Sequence, residues 1–121
     1  MKIRFLHHIL IPVADIERAA TFYQKLGMER LPSLSAHIAW MEFGPNQLHL
    51  WTSDELFQYN GWTQEPSPHF AIEADDIQEC LQLIPLIGGQ VLQEPKQRSH
   101  DGSWYLFALD TEGNRFEVTQ H

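Results

Sequence analysis

An internal echo constrains this chain more than any other feature. His8-Ile9-Leu10-Ile11-Pro12-Val13-Ala14-Asp15-Ile16 and His69-Phe70-Ala71-Ile72-Glu73-Ala74-Asp75-Asp76-Ile77 each hold a leading His, a mostly apolar run and a closing Asp-Ile. His8 and His69, Asp15 and Asp76, and Gly27 and Gly88 stand 61 residues apart, about half of the 121-residue length. Three anchors at one spacing point to duplication of one supersecondary unit, so the fold must be buildable from two copies of a small motif.

Each copy reads alike. Residues 3–12 are β-branched, aromatic and aliphatic, the composition of a buried strand. Asp15 stands where a carboxylate can accept the orphan N–H groups of a helix start. Ile16, Ala19, Ala20, Tyr23 and Leu26 follow at helical spacing, and Gly27 ends the run. Strands are predicted over 28–33, 37–43 and 46–52, with Gly44-Pro45-Asn46 as the turn between the last two. In the second copy Asp76 caps, Ile77, Cys80, Leu81 and Ile84 form the apolar stripe, Pro85 tightens or kinks the last turn, and Gly88-Gly89 stops it. Strands then follow over 89–94, 102–109 and 114–119, with Thr111-Glu112-Gly113-Asn114 as the matching turn. The pattern is βαβββ twice, an α+β architecture. The first module covers 1–52, a mostly polar linker 53–68, and the second module 69–121, together one domain.

Composition removes several function classes. With 43% hydrophobic and 12% aromatic residues there is material for a core, so disorder is excluded. A formal charge of −8 repels phosphate backbones and anionic bilayers, which argues against nucleic-acid and membrane partners. No apolar run approaches the ~20 residues that span a bilayer. His7 and His8 interrupt the early apolar stretch, which argues against a signal peptide. Cys80 is the only cysteine, so an intrachain disulfide is impossible and a reducing, cytoplasmic setting is expected. Seven histidines against eight Lys plus Arg is a high share, and a first pointer to metal or proton chemistry.

The candidate site follows from strand periodicity. His8 and His69 lie on the first strands of the two modules. On the last strands, His49 sits between Leu48 and Leu50, and Glu117 between Phe116 and Val118. Alternation turns both polar side chains away from those apolar neighbours. Two duplicated units related by a pseudo-twofold axis would bring the four equivalent positions to one focus. Three imidazoles and one carboxylate suit a divalent transition metal with open positions for water or substrate.

At these residues the chain resembles the vicinal oxygen chelate superfamily of glyoxalase I, bleomycin-resistance proteins, fosfomycin-resistance thiol transferases, methylmalonyl-CoA epimerases and extradiol dioxygenases. The likeness spans nearly the whole chain. It is strongest from His8 to Asp15, at Phe22-Tyr23 and Leu26-Gly27, and over Leu109-Asp110-Thr111-Glu112-Gly113-Asn114-Arg115-Phe116-Glu117, where the family's usual turn Pro is Thr111. It implies a cup-shaped mixed sheet from two βαβββ modules and a divalent cation (Zn, Ni, Fe, Mn or Co) held by His8, His49, His69 and Glu117. His49 and Glu117 would be the catalytic groups. In glyoxalase I the fourth position is Glu, and in the epimerases typically Gln, so His49 is a departure. The fosfomycin enzymes and dioxygenases bind with two His and one Glu, which His8, His69 and Glu117 would supply.

The resemblance carries competing functions. One is an enzyme whose cation binds two adjacent oxygens of a small molecule and stabilises an enolate or alkoxide, in lyase, isomerase or dioxygenase chemistry. Another is a metal-free binder of the bleomycin-resistance type, compatible with the acidic charge and four tryptophans. A third is a thiol transferase, which needs more cationic contacts than Arg98 and Arg115 provide near the site. A homodimer is implied, with modules exchanged between chains or not. Trp40, Trp51, Trp104 and Tyr105 can wall a pocket or fill the core, and His100 in the polar 97–102 loop can contact substrate. Glu42 is a candidate base by position only. His7, His37 and His121 read as surface residues, and Cys80 as a small hydrophobe.

Overall fold

Asp15 and Asp76 each open a helix. Asp15 Oδ1 accepts from the Arg18 N–H at 3.0 Å, and Asp76 Oδ1 from the Gln78 and Glu79 N–H groups at 2.9 and 3.1 Å. Each carboxylate satisfies backbone donors that no helical carbonyl can reach. A computed structural model describes residues 1–33, 35–53 and 68–121, arranged as two compact units whose division falls in the segment outside the described residues. Most of the expected linker, 54–67, lies there too.

The first unit runs β1 (His8–Pro12), α1 (Ile16–Leu26), β2 (Glu29–Leu31), β3 (Ile38–Phe43) and β4 (Asn46–Trp51). The second runs β5 (Phe70–Glu73), α2 (Ile77–Leu86), β6 (Gln90–Gln97), β7 (Trp104–Leu109) and β8 (Arg115–Gln120). The sheet orders are β1-β4-β3-β2 and β5-β8-β7-β6, so both units have one topology. In each, the first strand pairs in parallel with the last, and the remaining pairs are antiparallel. The expected double βαβββ fold, mixed α+β, is what the chain adopts.

Alternation decides what each sheet buries. In the first unit Leu48 and Leu50 of β4, Ala39 and Met41 of β3 and Ile11 of β1 are sealed beneath Ile16, Ala19, Ala20 and Tyr23 of α1. In the second, Phe116 and Val118 of β8, Leu106 and Ala108 of β7 and Phe70 of β5 are buried with Ile77 and Ile84 of α2. Each opposite sheet face is left to the polar and aromatic residues of the candidate site.

Two boundaries differ from expectation by more than two residues. β1 starts at His8 rather than at residue 3, and Ile3, Phe5 and Leu6 are exposed. Its partner β4 begins only at Asn46, after the turn at Gly44, so residues 1–6 have no strand to pair with. Conversely β6 continues to Gln97, past Pro95, which reads as a stop because it cannot donate to a ladder. Register shifts between Val91 and Gln93 and between Gln93 and Lys96 carry the strand through that region. Pro85 stays within α2, and the Ile87 N–H reaches both the Leu83 and Ile84 carbonyls (3.2 and 3.3 Å), the expected tightening of the last turn.

Candidate functional site

In the first unit, parallel pairing places His8 beside Gln47 and Leu10 beside His49. His8 and His49 therefore lie on one face, and their rings stack with centroids 4.0 Å apart and planes 12° apart. His49 Nε2 donates to Gln47 Oε1 at 2.8 Å, and the Trp40 ring lies 5.8 Å away. Burial holds the His49 imidazole below its ordinary pKa, with His8 and His7 adding repulsion against a proton. His49 is thus a neutral, half-buried ring with exposed Trp40 and Trp51 on its face. His7 is exposed as expected, but it is not on a strand face opposite His8. Residue 7 precedes β1, and its Nδ1 lies 3.0 Å from His8 Nδ1.

In the second unit, Glu117 faces Ala71 on β5 and Phe107 on β7. It is 8% exposed, and both carboxylate oxygens are engaged. Oε2 accepts from His69 Nε2 at 3.1 Å, while Oε1 pairs with Arg98 Nη2. The His69 ring meets Phe107 edge-on at 5.0 Å. Arg98 also donates through Nη1 to Ser103 Oγ (3.1 Å) and Thr119 Oγ1 (3.0 Å), and its guanidinium lies 4.4 Å from the Tyr105 ring centroid. Composition left Arg98 as one of a few cations near the site. The signal that could have found its partner was Glu117 itself, since a buried carboxylate on a strand requires a compensating donor.

The remaining candidates divide. Tyr105 shares the face of Glu117, whereas alternation puts Trp104 with Leu106 and Ala108 on the helix side. Exposed His100 lies 3.5 Å from Asp101 Oδ2, and His121 is held by Glu73 at 2.8 Å. Glu42 pairs across from Gln47, on the face of Trp40. Cys80 is half-buried, and burial pushes its thiol up, so it behaves as a small apolar group. Within either unit, among the described residues, no three His, Cys, Asp or Glu side chains converge as a metal cluster. Each unit instead assembles one pair, His8 with His49 and His69 with Glu117.

Comparison with known families decides the kinship. The model of the Glyoxalase/Bleomycin resistance protein/Dioxygenase superfamily matches residues 5–118. The chain belongs to this superfamily. Among this superfamily member's relatives, a probable lactoylglutathione lyase of Synechocystis sp. is 29% identical, over 96% of this chain and 95% of that protein. A lactoylglutathione lyase of Neisseria meningitidis is 26% identical, over 95% and 89%. A lactoylglutathione lyase of Arabidopsis thaliana is also 29% identical, but this chain spans only 44% of its length. Solved folds agree. A glyoxalase-related enzyme from Fulvimarina pelagi superposes with a TM-score of 0.75 at 17% identity, covering 98% of this chain and 89% of that one. A lactoylglutathione lyase from Agrobacterium tumefaciens gives 0.72 at 21% identity, covering 96% and 92%. Among the described residues no helix is long and apolar enough to cross a membrane.

Proposed function

We propose that this superfamily member is a metal-dependent lyase or isomerase acting on a small molecule with two adjacent oxygens. His8, His49, His69 and Glu117 hold its divalent cation, within one chain or across a homodimer with exchanged modules. The observation that carries this reading is the pairing inside each unit. A His at the start of the first strand (His8) or just before it (His69) meets the last strand's polar residue in both copies. The names of the curated relatives favour lyase chemistry over dioxygenation.

The donor set fits a divalent ion. The imidazoles offer borderline nitrogen donors and the carboxylate a charged oxygen. His49 Nε2 and His69 Nε2 each donate a proton to an oxygen here, so each ring would ligate through Nδ1 as it stands, or through Nε2 only by giving up that hydrogen bond. His49 is already biased to the neutral form that ligation needs. A bound cation supplies Lewis acidity to the substrate oxygens. The protein residues do the rest: Trp40 and Trp51 offer apolar surface beside His49, and Arg98 holds the Glu117 carboxylate in place within the sheet.

Elemental analysis of untagged protein tests the reading, together with turnover of lactoylglutathione, followed in the direction of formation as well as breakdown, by metal-stripped protein resupplied with single metals. About one equivalent of metal per chain is expected, falling at least ~10-fold in metal affinity for Glu117→Gln with the fold retained. Unchanged metal content in that variant would overturn it. One observation favours a second reading, a metal-free binder: Glu117 already has a cation, Arg98. Tight binding of a bulky cation to wild-type protein that takes up no metal would select that reading.

A further inference from the structure

We propose that Arg98 is a resident counter-cation for Glu117, a positioning residue that keeps the His69–Glu117 pair assembled without metal and thereby weakens the protein's hold on its cation. This rests on the metal-binding reading above.

Six contacts fix Arg98, and only one of them involves Glu117. Nη1 reaches Ser103 Oγ and Thr119 Oγ1 at 3.1 and 3.0 Å, and the guanidinium packs 4.4 Å from the centre of the Tyr105 ring. The Arg98 N–H donates to the Ser103 carbonyl at 2.8 Å, and the Arg98 carbonyl accepts from the Gly102 N–H at 2.9 Å. The Arg98 backbone is therefore tied to the 98–103 turn while its head is tied to β8. A guanidinium cannot shed its proton, so its charge remains whatever else arrives.

That fixed charge acts on Glu117 in two opposed ways. By occupying Oε1 it orients the carboxylate with Oε2 toward His69, which helps any ligand that Oε2 is to bind. Loss of such outer contacts ordinarily weakens metal sites by ~10–100-fold. It also stands one carboxylate away from the place a divalent ion would take. A divalent ion on the same carboxylate would be repelled by that fixed charge, and in a partly buried setting, where screening is weak, we take this repulsion to outweigh the orienting gain. Carboxylate compensation points the same way. Glu117 is 8% exposed, and with Arg98 removed its carboxylate would keep only the His69 contact and whatever cation solution supplies.

The test is calorimetric titration of the metal-stripped full chain with Zn(II) alone, alongside thermal unfolding of the metal-free protein. Arg98→Gln is expected to lower the metal-free melting temperature and to tighten Zn(II) binding by ~10-fold or more. Arg98→Lys keeps the charge but loses the fork, and is expected to bind Zn(II) within ~3-fold of wild type. A merely structural Arg98 would lower the melting temperature in both variants and leave Zn(II) affinity unchanged or weaker, and either result in Arg98→Gln overturns the inference. Should Arg98→Gln not fold, Thr119→Val loosens the same side chain without touching Glu117, and weaker or unchanged Zn(II) binding there overturns the inference equally. Wild-type protein that binds no Zn(II) or other divalent metal removes the functional reading and this inference together. Wild-type binding with the wrong sign in the variants removes this inference alone.

Discussion

His49 and Glu117 hold the same register position in two separate sheets. His49 lies across from Leu10 on β1 and Trp40 on β3, and Glu117 across from Ala71 on β5 and Phe107 on β7. Leu10 and Ala71 keep the 61-residue offset of the repeat, whereas His49 and Glu117 are 68 apart. Six of the seven extra residues fall before Phe107, where β6 is eight residues long against three for β2. One more falls in the turn between β7 and β8. Insertion has lengthened the outer strand without disturbing which residue meets the first strand, because a slip of one would send every side chain of β8 to the wrong face.

The apolar floor under that position is expected to set the stability of the first unit. Leu50 is fully buried, next to His49 in sequence and on the opposite face. Leu50→Ala removes contacts that α1 and β3 cannot close over, with an expected loss of about 2–5 kcal/mol. Urea unfolding measures it, and a loss below about 1 kcal/mol would mean that this face is not the core.

Reading the chain by its repeat found the helices, their Asp caps and the hairpins, because each has a local signal: a cap, a stripe or a turn. Less local features escaped it. The start of β1 at His8 depends on where β4 begins, some forty residues away, and no property of Ile3 or Phe5 announces it. The passage of β6 through Pro95 depends on shifts in register against β7. The Arg98–Glu117 pair joins residues 19 apart whose contact exists only once β6, β7 and β8 are side by side. Trp104 and Tyr105 look equivalent as a string, and a single residue of register sends one to each face.

The stacked histidines carry a pH signature. In metal-free protein His49 is expected to titrate below the ordinary imidazole value of about 6.5, chiefly through burial and secondly through His8 and His7. Its folded pKa is thus lower than its unfolded pKa, and between the two values the unfolded chain binds more protons. Stability from this group is present above about pH 6.5 and is lost as pH falls through the folded value. Two-dimensional NMR titration of chelator-treated protein reads it. His8→Ala should move the His49 midpoint upward, since it removes both a covering ring and a neighbouring charge. A midpoint that stays put would contradict the stacking.

Asp76 offers a test of the second unit on its own. Its Oδ1 accepts two N–H groups of the first turn of α2, so Asp76→Ala strands donors that have no other intrahelical partner. About 1 kcal/mol of stability should be lost, within a range of about 0.5–2. Thermal unfolding checks it, and Asp76→Asn, which keeps an acceptor, should recover most of the loss. Equal melting temperatures for Asp76→Ala and wild type would show that the cap contributes nothing.

The sharpest chemical test exchanges the residue at which this chain departs from glyoxalase I. Position 49 shares its register with Glu117 but offers a neutral nitrogen where a carboxylate would bring charge. On the proposed reading His49→Glu changes the donor set from three imidazoles and one carboxylate to two of each. Oxygen donors favour harder cations, so the ratio of Mn(II) to Zn(II) affinity should rise by about tenfold. The new carboxylate would stand beside His8 and Gln47. Turnover of lactoylglutathione by the manganese-loaded variant, followed in the direction of formation as well as breakdown, should rise with that ratio. The same titrations on wild type and variant decide the matter: an unchanged ratio, with both proteins folded, would place His49 outside the metal's reach and leave His8, His69 and Glu117 as the set to test next.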